Sequence, residues 1–161
     1  MTYRIVCVCA GLSFYLVLAG CGRASNTDSA SHPTMANLAA IKGATAQFVD
    51  AINDINKLDD VAHVPARENM TVSGWAVDSP NVQLAAAVWI DIDGKLYQAR
   101  YGISRPDVAA ALKVPAYAPS GFEAMIPASD ISSGLHRLTL KIVNHDGSGY
   151  YVGRTIQFDY R

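Results

Sequence analysis

From Asn69 to the C-terminus, large apolar side chains return at every second position in short runs, and Gly, Asp, Pro or Asn breaks each run. A period of two belongs to half-buried strands and is incompatible with a helical bundle, so this stretch can bury its apolar faces only by stacking sheets. Met70 to Val77 reads as one strand, ending in the turn signal Asp78-Ser79-Pro80-Asn81. Ala85 to Ile92 follows, with Ala86, Val88, Ile90 and Ile92 inward and Ala87, Trp89 and Asp91 opposite. Asp93-Gly94 supplies the residues that a two-residue type I′ hairpin turn requires, and Leu96 to Tyr101 returns as the next strand. Pro106 suits a first helical position, so Asp107 to Leu112 continues as a short helical insertion. Phe122 to Ile126 resumes the strands. Leu135 to Val143 puts His136, Leu138, Leu140 and Ile142 on one face, Asp146-Gly147 turns the chain, and Tyr151 to Phe158 ends the pattern. Six or seven such strands predict a mostly β fold, a β-sandwich, with a small barrel as the alternative.

The region upstream is different. Positions 38, 41, 45, 48, 52 and 55 follow alternating steps of three and four, and all but Thr45 are Leu, Ile or Phe. This predicts a helix from about Thr34 to Ala46 inside a helical or mixed segment, residues 35–60. Gly43 and Thr45 weaken it, and Phe48, Asp50 and Ile52 also fit one side of a strand. Residues 22–34 (GRASNTDSASHPT) carry almost no large apolar side chain and cannot offset their ordering entropy, which predicts a flexible tether. At the N-terminus Arg4 precedes 14 largely apolar residues, Ile5 to Leu18, too few to span a bilayer and suited to a signal-peptide core.

Two resemblances add to this reading. Leu18-Ala19-Gly20-Cys21 resembles the lipobox of bacterial lipoproteins. That resemblance implies removal of residues 1–20 and acylation of Cys21 on its sulfur and amino group, a stable membrane anchor. It leaves residues 21–34 as a lipidated tether and takes the net charge from −1 to −2 with the loss of Arg4. Cys7 and Cys9 leave with the signal, so the mature chain has no disulfide. Gly22 stands where inner-membrane retention uses Asp, which implies the outer membrane in a host with two membranes. The second resemblance is carried by Ser73-Gly74-Trp75-Ala76-Val77-Asp78, Ile90-Asp91-Ile92-Asp93-Gly94, Tyr101-Gly102-Ile103-Ser104-Arg105-Pro106-Asp107-Val108, Gly121-Phe122 and Gly134-Leu135-His136-Arg137-Leu138-Thr139-Leu140. This series is similar to an immunoglobulin-like module of bacterial cell-surface proteins, with departures at the hairpin (IDIDG) and the late strand (GLHRLTL). The resemblance covers about residues 48–158, and Phe48 to Asn53 is similar to the first strand of such modules. The sandwich, otherwise placed at 61–161, then begins near 48. The resemblance implies an accessory, non-catalytic domain whose signature residues are Gly74, Trp75, Asp78, Asp93, Gly94, Arg105 and Asp107.

Several residues invite functional readings. Trp75 suits either a core position or a sugar-stacking platform, and a sandwich core is the expectation. Trp89, with Tyr97, Tyr101 and Tyr117, would make an aromatic binding patch unless the N-terminal segment or the insertion covers it. Arg105 is either a carboxylate or sugar clamp, or a structural cation paired with Asp78 or Asp91 while Asp107 caps the helix. Asp91 to Gly94 begins like a calcium loop, but its window ends without the bidentate Glu. The four histidines share no ligand spacing, no serine sits in a nucleophile elbow, and only Glu68 and Glu123 are glutamates. No catalytic residue, metal or cofactor is expected, and the acidic balance argues against nucleic acid. The expectation is a membrane-anchored interaction or assembly module using the Arg105–Pro119 insertion and an exposed strand edge. A glycan-binding module using the exposed aromatics is the alternative, and self-association through a helix over Leu38 to Ile55 is a third reading.

Overall fold

The computed structural model describes residues 35–58, 60–66 and 69–161. The signal segment, Cys21 and the tether lie outside the described residues. A 3-10 turn, Met35–Asn37, precedes β1 (Ala39–Ala40), β2 (Gln47–Ile52), β3 (Ala62–Val64), β4 (Asn69–Asp78), β5 (Gln83–Leu84), β6 (Ala87–Ile92), β7 (Lys95–Gln98) and β8 (Arg100–Ile103). Then come α1 (Pro106–Leu112), β9 (Gly121–Pro127), β10 (Gly134–Val143) and β11 (Gly149–Tyr160). The first sheet runs β1-β11-β10-β6-β7, with β3 also on β11. The second runs β2-β4-β9-β8, with β5 on β4. β1 and β3 lie parallel to β11, and the other pairings are antiparallel. The two sheets form a β-sandwich.

Alternation builds the core. Val72, Ala76, Phe122, Ala124 and Ile126 of the second sheet meet Val88, Ile90, Leu138, Leu140, Ile142 and Phe158 of the first, all buried. The Asp93-Gly94 turn forms as expected, with positive φ at both residues (50° and 93°). Gly74 is required by close approach. A Cβ there would stand 2.1 Å from the Phe48 carbonyl oxygen and 2.8 Å from the Phe122 ring, so β2 closes onto β4 only because the position is bare.

Two expectations are corrected. The helix over Thr34 to Ala46 is absent from 35–46, where the chain forms a 3-10 turn, β1 and an extended run into β2. The heptad spacing is shared out among different surfaces: Leu38 packs by Trp89, Ile41 against the main core, and Ile52 deep inside it. Gly43 takes φ +122°, and Thr45, the polar break in the stripe, anchors the segment by accepting the Ser79 N–H at 2.9 Å and donating to the Val77 carbonyl. Sheet pairing offers these backbone groups partners that a short helix would have to supply alone. With β2 embedded in the second sheet, the Leu38 to Ile55 helix proposed for self-association does not exist.

The second correction concerns Leu96 to Tyr101. The run is two strands, β7 in the first sheet and β8 in the second, with the crossing at buried Ala99, whose N–H donates to Val88 O at 2.9 Å. Alternation cannot register a change of sheet, because the inward parity continues through it. The strand expected from Ala85 begins at Ala87, and a short strand that was not expected, Gln83–Leu84, pairs with β4 before it.

We expect Gly74→Ala to destabilise the fold by about 2–3 kcal/mol in urea denaturation, because a backbone oxygen has no way to yield. Ser73→Ala, one residue away and facing outward, should cost under about 0.5 kcal/mol.

Candidate functional site

A sandwich fills its two inner faces with core, so binding chemistry falls to outer faces, edges and loops. On β4, Met70, Val72 and Ala76 are fully buried, and Thr71, Ser73 and Trp75 are half-buried. Parity therefore turns Trp75 outward, and it is not a core tryptophan as the sequence suggested. Its neighbours across the register are Phe48 on β2, 44% exposed, and Gly121 on β9. Phe48 and Trp75 form a cross-strand aromatic pair on the outer face of the second sheet.

Arg105 crosses the same row. It follows β8 at one side of the sheet, yet its Nη1 donates to Asp50 Oδ2 on β2, the opposite edge, at 2.6 Å. Its Nε and Nη2 donate to Asp107 at 3.0 and 2.7 Å. Gly121 leaves room for this path, since a Cβ there would lie 3.0 Å from Arg105 Cγ. The hydrogen bonds with Asp107 raise the Arg105 pKa first of all; burial opposes them and the Asp50 carboxylate assists. The guanidinium in turn lowers the Asp107 pKa. Four signature residues thus converge, with Gly74 and Trp75 on one strand and Arg105 and Asp107 laid across its neighbours.

The expected partners of this arginine are otherwise engaged. Asp78 is fully buried, and Asp91 pairs with Lys141 at 2.7 Å. Asp107 sits in the first turn of α1, where the hydrogen bond from Arg105 is the main cause of its lowered pKa and the backbone N–H groups of Asp107 and Val108 add to it. Asp50 carried no motif signal. Its only cue was the strand reading that put Phe48, Asp50 and Ile52 on one side, and a register shift between Val49 and Ala51 breaks that side, leaving Phe48 exposed and Ile52 fully buried.

The proposed aromatic patch is not assembled. Trp89 lies half-buried on the outer face of the first sheet, packed with Met35, Leu38, Val143 and Tyr150. Its indole nitrogen is buried and has no partner among the described residues. Tyr97 pairs with Ile90, so it faces the interior. The Tyr101 hydroxyl donates to Ala76 O at 2.7 Å and accepts from Ala85 N at 3.3 Å, and burial pushes its pKa up to about 12. Tyr117 is buried, which raises its pKa, with the charge of Asp78 adding to the effect.

Asp93 does more than turn a hairpin. Its Oδ2 meets His136 Nδ1 at 2.6 Å, its Oδ1 accepts from the Arg137 N–H at 2.9 Å, and His136 Nε2 faces Ser132 O at 2.8 Å. Burial lowers the His136 pKa, but the acceptors at both ring nitrogens outweigh it and the net shift is upward. The Asp93 pKa moves down, chiefly through the hydrogen bond from His136. Among the described residues, no group of three or more His, Cys, Asp or Glu is placed to hold a metal ion.

Arg105→Lys should cost about 1–2 kcal/mol, because a single ammonium cannot span both carboxylates. Combined with Asp50→Asn, the loss should be less than additive in a double-mutant cycle read by urea denaturation. The His136–Asp93 pair predicts a pH dependence. The raised histidine stabilises fully below its ordinary value of 6.5 and loses that contribution as pH rises through its folded pKa. The lowered aspartate stabilises above 3.8 and loses its contribution as pH falls through its folded pKa. The melting temperature should therefore fall as pH rises from 6.5 through the raised folded pKa of His136, and His136→Gln should remove that part of the fall.

No family model and no curated protein matches this chain.

Proposed function

We propose that this chain is a lipid-anchored, non-catalytic lipoprotein of the bacterial envelope that presents an immunoglobulin-like module to a partner protein. Cys21 carries the anchor in this reading, residues 22–34 give reach, and the outer membrane is the address in a host with two membranes. The observation that carries the interaction is the Phe48–Trp75 pair. Two large aromatic residues stand opposite each other in the register on an outer sheet face, and the Asp50–Arg105–Asp107 bridge spans the same face. Aromatic side chains flanked by an oriented arginine have the composition of an interface centre.

The flank of the site supports the same reading. β2 is the end strand of its sheet, and no other described strand pairs with its outer side. An extended segment of the partner added along β2 would gain main-chain hydrogen bonds and set its own side chains against Phe48. Met125, 66% exposed on the same outer face, extends the apolar surface beyond Ser73 and Glu123. The Arg105–Pro119 insertion contributes through Arg105 and Asp107. The glycan reading through Trp89 and the tyrosines is not retained, since three of those four side chains face inward.

The test is capture from detergent-solubilised envelope with the acylated chain, with Cys21→Ser and Phe48→Ser forms in parallel. Mass spectrometry of the wild-type chain should show acylated Cys21. One protein should be retained stoichiometrically and lost with Phe48→Ser, whose exposed position leaves the fold intact. A Cys21 without acyl chains would refute the anchor. Capture equal with Phe48→Ser and Trp75→Ser would refute this face as the interface.

A further inference from the structure

The outer face of the first sheet has a different character. On β10, buried Leu138, Leu140 and Ile142 alternate with Arg137, Thr139 and Lys141 on the outside. The register sets Gln157 beside Arg137 and Thr155 beside Thr139 on one flank, with Asp91 beside Thr139 and Trp89 beside Lys141 on the other. Three shallow clefts of about 430, 350 and 390 Å³ open on this face, and Arg137 borders all three.

The charges on the face are neutralised unevenly. Lys141 holds Asp91 at 2.7 Å, and Asp93 is taken by His136 and by the backbone N–H of Arg137. Arg154 donates to the Leu58 carbonyl at 2.8 Å. The Arg137 guanidinium, by contrast, makes no side-chain hydrogen bond or ion pair among the described residues, although its charge helps to lower the Asp93 pKa. An arginine fork left open where three clefts meet suits an anion, and a planar carboxylate above all. Around it the groove sets hydroxyls and amides among exposed apolar side chains, Val61, Leu135 and Val152. Thr139 and Thr155 share a hydrogen bond at 2.8 Å, Gln157 adds donors and an acceptor, and Asp60 adds acceptors at the far cleft.

We propose that this face binds an acidic, hydroxyl-rich glycan strand, with Arg137 holding a sugar carboxylate and Thr139, Thr155 and Gln157 holding the hydroxyls of adjoining rings. The open, connected clefts fit an extended polymer and not an enclosed small molecule, and the mixed donors and acceptors fit sugar hydroxyls on both sides of the charge. The site lies on the sheet opposite the Phe48–Trp75 pair, so it stands or falls independently of the partner-protein reading.

The test uses the full chain in detergent, titrated calorimetrically with an oligogalacturonate, its neutral methyl ester and inorganic phosphate. The acidic oligomer should bind saturably. Arg137→Gln should weaken it by about tenfold to a hundredfold, and Thr155→Val by about threefold to tenfold. In a Trp75→Phe background, Trp89 beside Lys141 should report binding by fluorescence. The ester and phosphate should bind far more weakly. Three results would overturn the proposal: no saturable binding of the acidic oligomer, binding unchanged in a folded Arg137→Gln chain, or phosphate binding as tightly as the oligomer. The last would make the site a simple anion site.

Discussion

A single buried carboxylate fastens one end of the sandwich. Asp78, fully buried at the end of β4, accepts from Asn81 Nδ2 and the His145 N–H at 2.8 Å and from the Tyr151 hydroxyl at 3.2 Å. His145 and Tyr151 belong to the β10–β11 turn and strand, so these bonds tie the second sheet to the first. A buried carboxylate is tolerated only when its lone pairs are met by donors. The geometry here is therefore demanding. Burial and the nearby carboxylate together raise the Tyr151 pKa and keep its hydroxyl a donor. Next to it, Ser79 Oγ accepts the Ala46 N–H at 3.0 Å, so the entry into β2 is fixed by the same turn.

With the sheets fixed in this way, the outer surfaces inherit their chemistry from strand parity. The outward parity of β4 delivers Trp75, and bare Gly74 lets β2 bring Phe48 beside it. Gly121 then opens the path by which Arg105 reaches Asp50. On the other sheet the outward parity of β10 delivers Arg137, Thr139 and Lys141 in line, and the turn residue Asp93 ties His136 to the same end. The N-terminal segment covers the opposite end of that face through Met35 and Leu38. One frame thus supports an aromatic face beside a free edge and a polar face with an open arginine.

The β architecture was legible because its cause is local. Alternation from Met70, the Asp93-Gly94 turn and the helix signal at Pro106 each act within a few residues. Errors arose where a competing effect was non-local. The spacing of Leu38 to Ile55 matched a helix only because unrelated surfaces of the sandwich each needed an apolar side chain there. The change of sheet at Ala99 left no mark on the alternation. Trp75 suits a sandwich core by its type and its mid-strand place, yet it shares parity with Thr71 and Ser73, and that parity turns it outward. The Arg105–Asp107 pair was visible in the motif, but its bridge to Asp50 spans 55 positions in sequence and no local pattern encodes it. Arg137 lies within the GLHRLTL run, and its significance comes from a guanidinium that no hydrogen bond or ion pair closes among the described residues.

The central claim is that buried Asp78 belongs to the frame, and that the proposed binding surfaces lie on the outer faces which this frame holds in place. Asp78→Asn tests it most directly, read by the free energy of unfolding in urea. An amide in that pocket would set its NH₂ group against a ring of donors, so the account predicts a loss of about 2–4 kcal/mol. Unchanged stability, together with loss of partner capture, would make Asp78 a ligand-binding group and contradict the division between frame and face.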